Sequence, residues 1–198
     1  MSPERTRRKR RLPPTAWGSF GAHLLFAMYK GALSLWYGSA WMGATALYYL
    51  VLSLTQLLLL RGRGGWRSYR CCGALLLVLT AAVGAVNYYT IRDGQAVIYP
   101  WHLIYGAAAY TFYSLYAALI RIARRKAAPE EGAGALLSLA SALVALLSLQ
   151  GALLAAFGDG GAWQRLMGIL TGLAVFSAIA AMAVHMLRKG TKELKKLP

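Results

Sequence analysis

Six stretches of about 20 mostly apolar residues constrain this chain more than any other feature of it. They fall at 16–38, 40–60, 72–90, 101–121, 134–157 and 163–187. A bilayer hydrocarbon core about 30 Å thick needs roughly 20 such residues per helix. None of the runs alternates as barrel strands do, so helices that satisfy their own backbone are the spanning solution left. The breaks between runs carry turn chemistry: Gly38-Ser39, Arg61-Gly62-Arg63-Gly64-Gly65, Arg92-Asp93-Gly94 with Pro100, Pro129-Glu130-Glu131-Gly132, and Gly158-Asp159-Gly160-Gly161. The expected fold is an all-α integral membrane protein, a bundle of six transmembrane helices. Residues 1–15 and 189–198 read as basic cytoplasmic tails around a membrane domain at 16–188.

Charge placement sets the expected orientation. Of 22 Lys and Arg residues, 19 fall on one side of a six-span chain. They lie in the N-terminal tail, at Arg61 to Arg70, at Arg121 to Lys126, and from Arg188 to the end. Arg92 and Arg165 fall on the other side, and Lys30 lies within the first span. Positive residues stay inside, so both termini are expected in the cytoplasm and the protein in a bacterial plasma (inner) membrane. The net charge of +16 invites a nucleic-acid reading. However, the basic blocks lack interleaved aromatics or a recognisable module, and anionic lipid head groups are the expected partner. A basic start followed by Gly38-Ser39-Ala40 also resembles a cleavable secretory signal. An apolar stretch of about 23 residues containing His23 and Lys30 exceeds the usual ~7–15, so an uncleaved span is expected.

Only 14% of the residues are charged, against about 25% in soluble domains, which argues against a soluble enzyme. No Asp or Glu falls within an apolar run. Carboxylate-coupled antiport and acidic metal sites therefore lack their residues. His-Glu-x-x-His, Gly-x-Ser-x-Gly and phosphate-cradling glycine motifs are absent as well. Neither an enzyme activity nor a cofactor nor a metal is expected. Cys71 and Cys72 are adjacent and read as inert thiols.

Shifting the chain by 61 residues superposes spans two and three on spans four and five. Tyr49 meets Tyr110, Ser53 meets Ser114, and Gly73-Ala74-Leu75-Leu76 meets Gly134-Ala135-Leu136-Leu137. Moving by two helices makes this a parallel helical-hairpin repeat rather than an inverted one.

Lys30 is the residue that most needs explaining. A lysine near the bilayer centre costs roughly 2.5–3.5 kcal/mol on an insertion scale, and no acid at membrane depth offsets it. His23, Ala27, Lys30, Ser34 and Tyr37 form one polar stripe at helical spacing. Other spans carry faces to match: His102, Tyr110 and Tyr113 on the fourth, Asn87 on the third, Gln150 on the fifth, and Arg165 at the start of the sixth. Together, Lys30, Ser34, Tyr37, Asn87, His102, Tyr110, Tyr113, Gln150 and Arg165 sketch an outward-facing ligand pocket.

The expected function is a small-solute transporter, or a substrate-binding membrane subunit, for an organic anion or aromatic compound. In size, span count and basic inner loops the chain is similar to the substrate-binding subunits of energy-coupling-factor vitamin transporters. That format implies a partner ATPase subunit, because the chain has no nucleotide-binding motif. Two other readings compete. One is an oligomeric anion-selective channel lined by Lys30; the other is a regulatory or scaffold subunit packing through small-residue faces such as Gly168 and Gly172.

Overall fold

The computed structural model describes residues 14–60, 65–92, 100–124, 129–158 and 161–196. Among the described residues every regular element is an α-helix. In chain order they are α1 (Pro14–Tyr37), α2 (Ala40–Leu60), α3 (Gly65–Arg92), α4 (Trp101–Ala123), α5 (Pro129–Phe157) and α6 (Ala162–Leu194). Most of the N-terminal tail, Tyr99 and the charged loop segments 61–64, 93–99, 125–128 and 159–160 lie outside the described residues.

Among the described residues five helices, α2 to α6, are long and apolar enough to cross a membrane. α1 is not among them, because Gly18, Gly21, His23, Lys30, Gly31 and Ser34 dilute its apolar run. Its 24 residues still reach about 36 Å at 1.5 Å per residue.

Helix ends depart from the hydropathy edges mainly where the sequence turns basic. α3 begins at Gly65 rather than 72 and includes Arg67 and Arg70. α6 runs past 187 to Leu194 and includes Arg188, Lys189 and Lys192. Long basic stems let a helix continue while the charge reaches water or head groups, so the helix outlasts the apolar run. The acids expected in loops and tails shift accordingly. Glu130 and Glu131 lie in the first turn of α5, which opens on Pro129, and Glu193 lies in the last turn of α6. Proline suits a helix start because its missing N–H would have no partner there.

The α1–α2 turn forms where Gly38-Ser39 predicts it. Gly38 takes the left-handed φ of 62°, a region that favours glycine. The Ser34 hydroxyl donates to the Ser39 carbonyl at 3.1 Å, and the Met42 N–H donates to the Ser39 hydroxyl at 3.4 Å. One serine closes the turn and the other caps the next helix.

α5 is the hub. Of its most apolar window 78% is buried, against 22% for α4 and 22% for α6. It packs against α2, α3, α4 and α6 backbone to backbone. α1 packs closely on α2 alone and reaches α4 and α5 through long side chains. An apolar solvent gives helices no hydrophobic reason to associate, so small residues that admit close backbone approach carry the packing. The antiparallel α3–α6 pair shows this along its whole length. From Gly190 against Arg70 at one end to Gly168 against Ile91 at the other, each step along α3 is matched by an opposite step along α6.

Gly73 lets the backbones of this pair approach closely. A Cβ there would meet the Met186 Cβ at 2.9 Å and the Ala183 carbonyl at 3.0 Å. Gly73→Val is expected to cost about 1–3 kcal/mol by overpacking. Gly106→Ala, with nothing within 4 Å, is expected to gain roughly 0.5–1 kcal/mol from helix propensity. Denaturant titration of the two variants in detergent distinguishes them by sign.

Candidate functional site

Lys30 is 5% exposed, and its ammonium donates to the Ser148 hydroxyl at 2.7 Å. The Phe26 ring centroid lies 5.6 Å from the same nitrogen, within cation–π range. Among the described residues no carboxylate approaches it; the salt bridge found there joins Lys196 to Glu193 at the end of α6. An ammonium has three donors, and one is used. Beside it lies a cavity of about 20 Å³ whose lining includes Tyr29, Lys30, Ile104, Ala107 and Ser148. That is room for about one water-sized species, far below the ~300–1,000 Å³ of a drug-sized pocket.

The second contact between α1 and α5 repeats the first two turns away. His23 Nε2 lies 2.7 Å from the Ser141 hydroxyl, and both pairs are 118 residues apart in sequence. Equal offsets mean that α1 and α5 run parallel and in register. Their spacing follows from the sequence: His23 and Lys30 lie seven residues apart, as do Ser141 and Ser148. Seven residues are about two helical turns, which returns a side chain to the same face.

A polar network surrounds His23. The Tyr49 hydroxyl donates to the Ser141 carbonyl at 2.8 Å, and the Ser141 hydroxyl to the Ser138 carbonyl at 2.8 Å. Arg121, in the last turn of α4, donates to the Ser138 hydroxyl at 2.5 Å. A cation suits a helix C-terminus, where carbonyls point outward. Gln56 of α2 borders His23, yet neither its amide nitrogen nor its oxygen has a hydrogen-bond partner among the described residues. The same holds for His23 Nδ1, the Ser53 hydroxyl and the Tyr48 and Tyr110 hydroxyls. Buried polar atoms without partners are costly, and each calls for an explanation in strain, in function or in a bound water or ion.

Phe26 lies between His23 and Lys30 along α1, at the centre of an aromatic cluster. The Phe26 ring stacks on Tyr110 with centroids 3.7 Å apart and planes 9° apart. Tyr49 meets Phe26 edge-on at 4.9 Å.

The residues singled out in the sequence therefore do not all converge. Lys30 and Tyr110 share the Phe26 neighbourhood. Ser34 is engaged in the α1–α2 turn, and Tyr37 is half-buried near the same turn. Asn87 faces α6, where a Cβ on Gly172 would meet its Nδ2 at 2.7 Å. Gln150 donates to the Thr171 hydroxyl at 2.9 Å, which ties α5 to α6. Tyr113 is 59% exposed on the outer face of α4, and Arg165 is exposed at the start of α6. His102 lies in α4, with its side chain outside the described residues.

Other residues carry the site instead. Ser148, Ser141 and Ser138 are buried on one stripe of α5, which the sequence shows as a small face suited to packing. Arg121 counts in the sequence as an inner-loop charge. Tyr49, Ser53 and Gln56 recur at intervals of four and three inside the leucine-rich second run, a signal that could have marked a buried polar face. No protein-family model, curated protein or solved structure matches this chain.

Proposed function

We propose that this chain is a six-span membrane protein that binds and moves a small inorganic anion at Lys30. The observation that carries the reading is a buried ammonium with a neutral hydroxyl as its hydrogen-bond partner and a water-sized cavity at its side. A cation in a low-dielectric site needs a countercharge, and the neighbouring side chains supply none. A halide-sized anion fits the space. The organic or aromatic compound expected from the tyrosine-rich outer half would need a much wider pocket, and Tyr113 and Arg165 point away from forming one.

The sixth span in this reading is α1. Its support is the pair of in-register contacts with α5, which put His23 and Lys30 beside residues of a helix long enough to cross. With that span, both termini lie on the basic, cytoplasmic side of the plasma membrane. Protease or antibody access to terminal tags tests this: both tags are expected to be protected in sealed right-side-out vesicles and open in inverted ones. Opposite protection of the two tags would remove α1 as a span. The 61-residue repeat gains support from Tyr49 and Tyr110, which flank one Phe26 ring, and from burial of Gly73, Leu76, Thr80 and Val83 alongside Gly134, Leu137, Ser141 and Val144.

Proteoliposomes loaded with a halide-sensitive dye test the function. Wild-type protein is expected to admit chloride or bromide, and Lys30→Met to admit neither. A rate that saturates with anion concentration at a low turnover favours a transporter, and a far higher unsaturated rate favours an oligomeric channel. Flux no higher than in protein-free liposomes for both proteins would leave the regulatory-subunit reading, and equal flux above that level would place conduction away from Lys30.

A further inference from the structure

Among the described residues, His23 is a buried base that the Lys30 site does not use, and an orphaned amide stands beside its ring. His23 is 3% exposed. With the one hydroxyl proton of Ser141 assigned to the Ser138 carbonyl at 2.8 Å, the Ser141 oxygen is left to accept from His23 Nε2–H at 2.7 Å. That tautomer leaves a lone pair on Nδ1, which is buried and unpartnered. Gln56, 4% exposed, lies next to the ring with an equally unpartnered amide. A proton added at Nδ1 creates an N–H that the Gln56 carbonyl can accept, and two orphaned groups become one hydrogen bond.

We infer that His23 binds a proton together with the anion at Lys30, so that the protein moves a proton and an anion as a neutral pair. This rests on the anion site proposed above. Among the described residues, the polar and titratable groups facing His23 are Gln56 and Tyr49 from α2, Ser141 from α5 and Arg121 from α4, with Lys30 two turns along its own helix. None is an acid. A proton on His23 without an anion would place a third positive charge among Lys30 and Arg121; an anion at Lys30 offsets it. Two turns separate the sites by about 10 Å. At an effective dielectric of about 20, opposite charges at that distance favour each other by roughly tenfold in affinity. Coupling of binding is reciprocal, so anion binding draws in the proton as strongly as the proton draws in the anion.

The test measures chloride affinity of the purified protein in detergent from pH 8 to pH 4.5. Wild type is expected to bind about tenfold more tightly at the acid end. Chloride added to weakly buffered wild-type protein is expected to take up protons and turn the solution alkaline. His23→Gln is expected to keep the alkaline-pH affinity and lose both the pH slope and the proton uptake. Gln56→Leu provides a second variant should His23→Gln fail to fold. It keeps the imidazole, removes the carbonyl that receives the new N–H, and is expected to shrink the slope. An unchanged slope in both variants would assign the proton to another group, and a flat wild-type profile would remove the coupling; either leaves the Lys30 site standing. Absence of chloride binding at every pH would overturn the anion site and the coupling together.

Discussion

Lys30→Met is expected to abolish anion binding and, in anion-free buffer, to make the protein more stable than wild type by about 1–3 kcal/mol. The two effects arise from one cause. The ammonium is buried with a serine hydroxyl as partner, and an uncompensated buried charge costs several kcal/mol after relaxation. Methionine keeps a long, flexible stem of similar volume, so the contact with Phe26 survives. Ser148, released from Lys30, can donate to the carbonyl one turn back in α5, as Ser138 does to Gly134 at 2.9 Å. Adding chloride reverses the order: at about 100 times its dissociation constant it stabilises wild type by roughly 2.7 kcal/mol and leaves the variant unchanged. Thermal unfolding with and without chloride reads both effects. A variant less stable than wild type in anion-free buffer would mean that Lys30 is held by interactions that already satisfy its charge.

Phe26→Ala is expected to destabilise the bundle by about 3–5 kcal/mol and to raise anion leak. Phe26 is 6% exposed and is shared among Tyr29, Tyr49 and Tyr110, with the Tyr110 stack the closest at 3.7 Å. Truncation removes that stack and leaves a cavity where α1 meets α2 and α4. Because α1 reaches α4 through side chains rather than backbone, few neighbouring atoms on that side can move in to fill the gap. The opened space would lie between Lys30 and His23 on α1, and a link between the two is the expected route of leak. Denaturant titration measures the first effect, and halide entry into proteoliposomes the second. Unchanged leak in a folded Phe26→Ala protein would show that the aromatic cluster is not the barrier.

Much of the architecture could be read from hydropathy and turn chemistry. The six runs correspond to six helices, and the Gly38 turn falls where the glycine requires it. Which faces meet could not be read in the same way. In water, the apolar side of a helix announces the core. In lipid, the outward face is as apolar as the inward one, so periodicity shows which residues share a face and not where that face points. Tyr113 illustrates the failure. It falls on the expected polar face of α4 with Tyr110, yet Tyr110 is stacked on Phe26 while Tyr113 is 59% exposed. Lys30 was legible because a lysine in an apolar run is expensive wherever it points. Its partner Ser148 was not, because a serine on a small-residue stripe reads equally well as packing.

The most direct measurement is crystallography of bromide-soaked protein with anomalous scattering. The account predicts a bromide peak within hydrogen-bond reach of Lys30 Nζ, beside Ser148 and Tyr29, and no such peak there in Lys30→Met. Bromide confined to the basic loops, with only a neutral water beside Lys30, would contradict it.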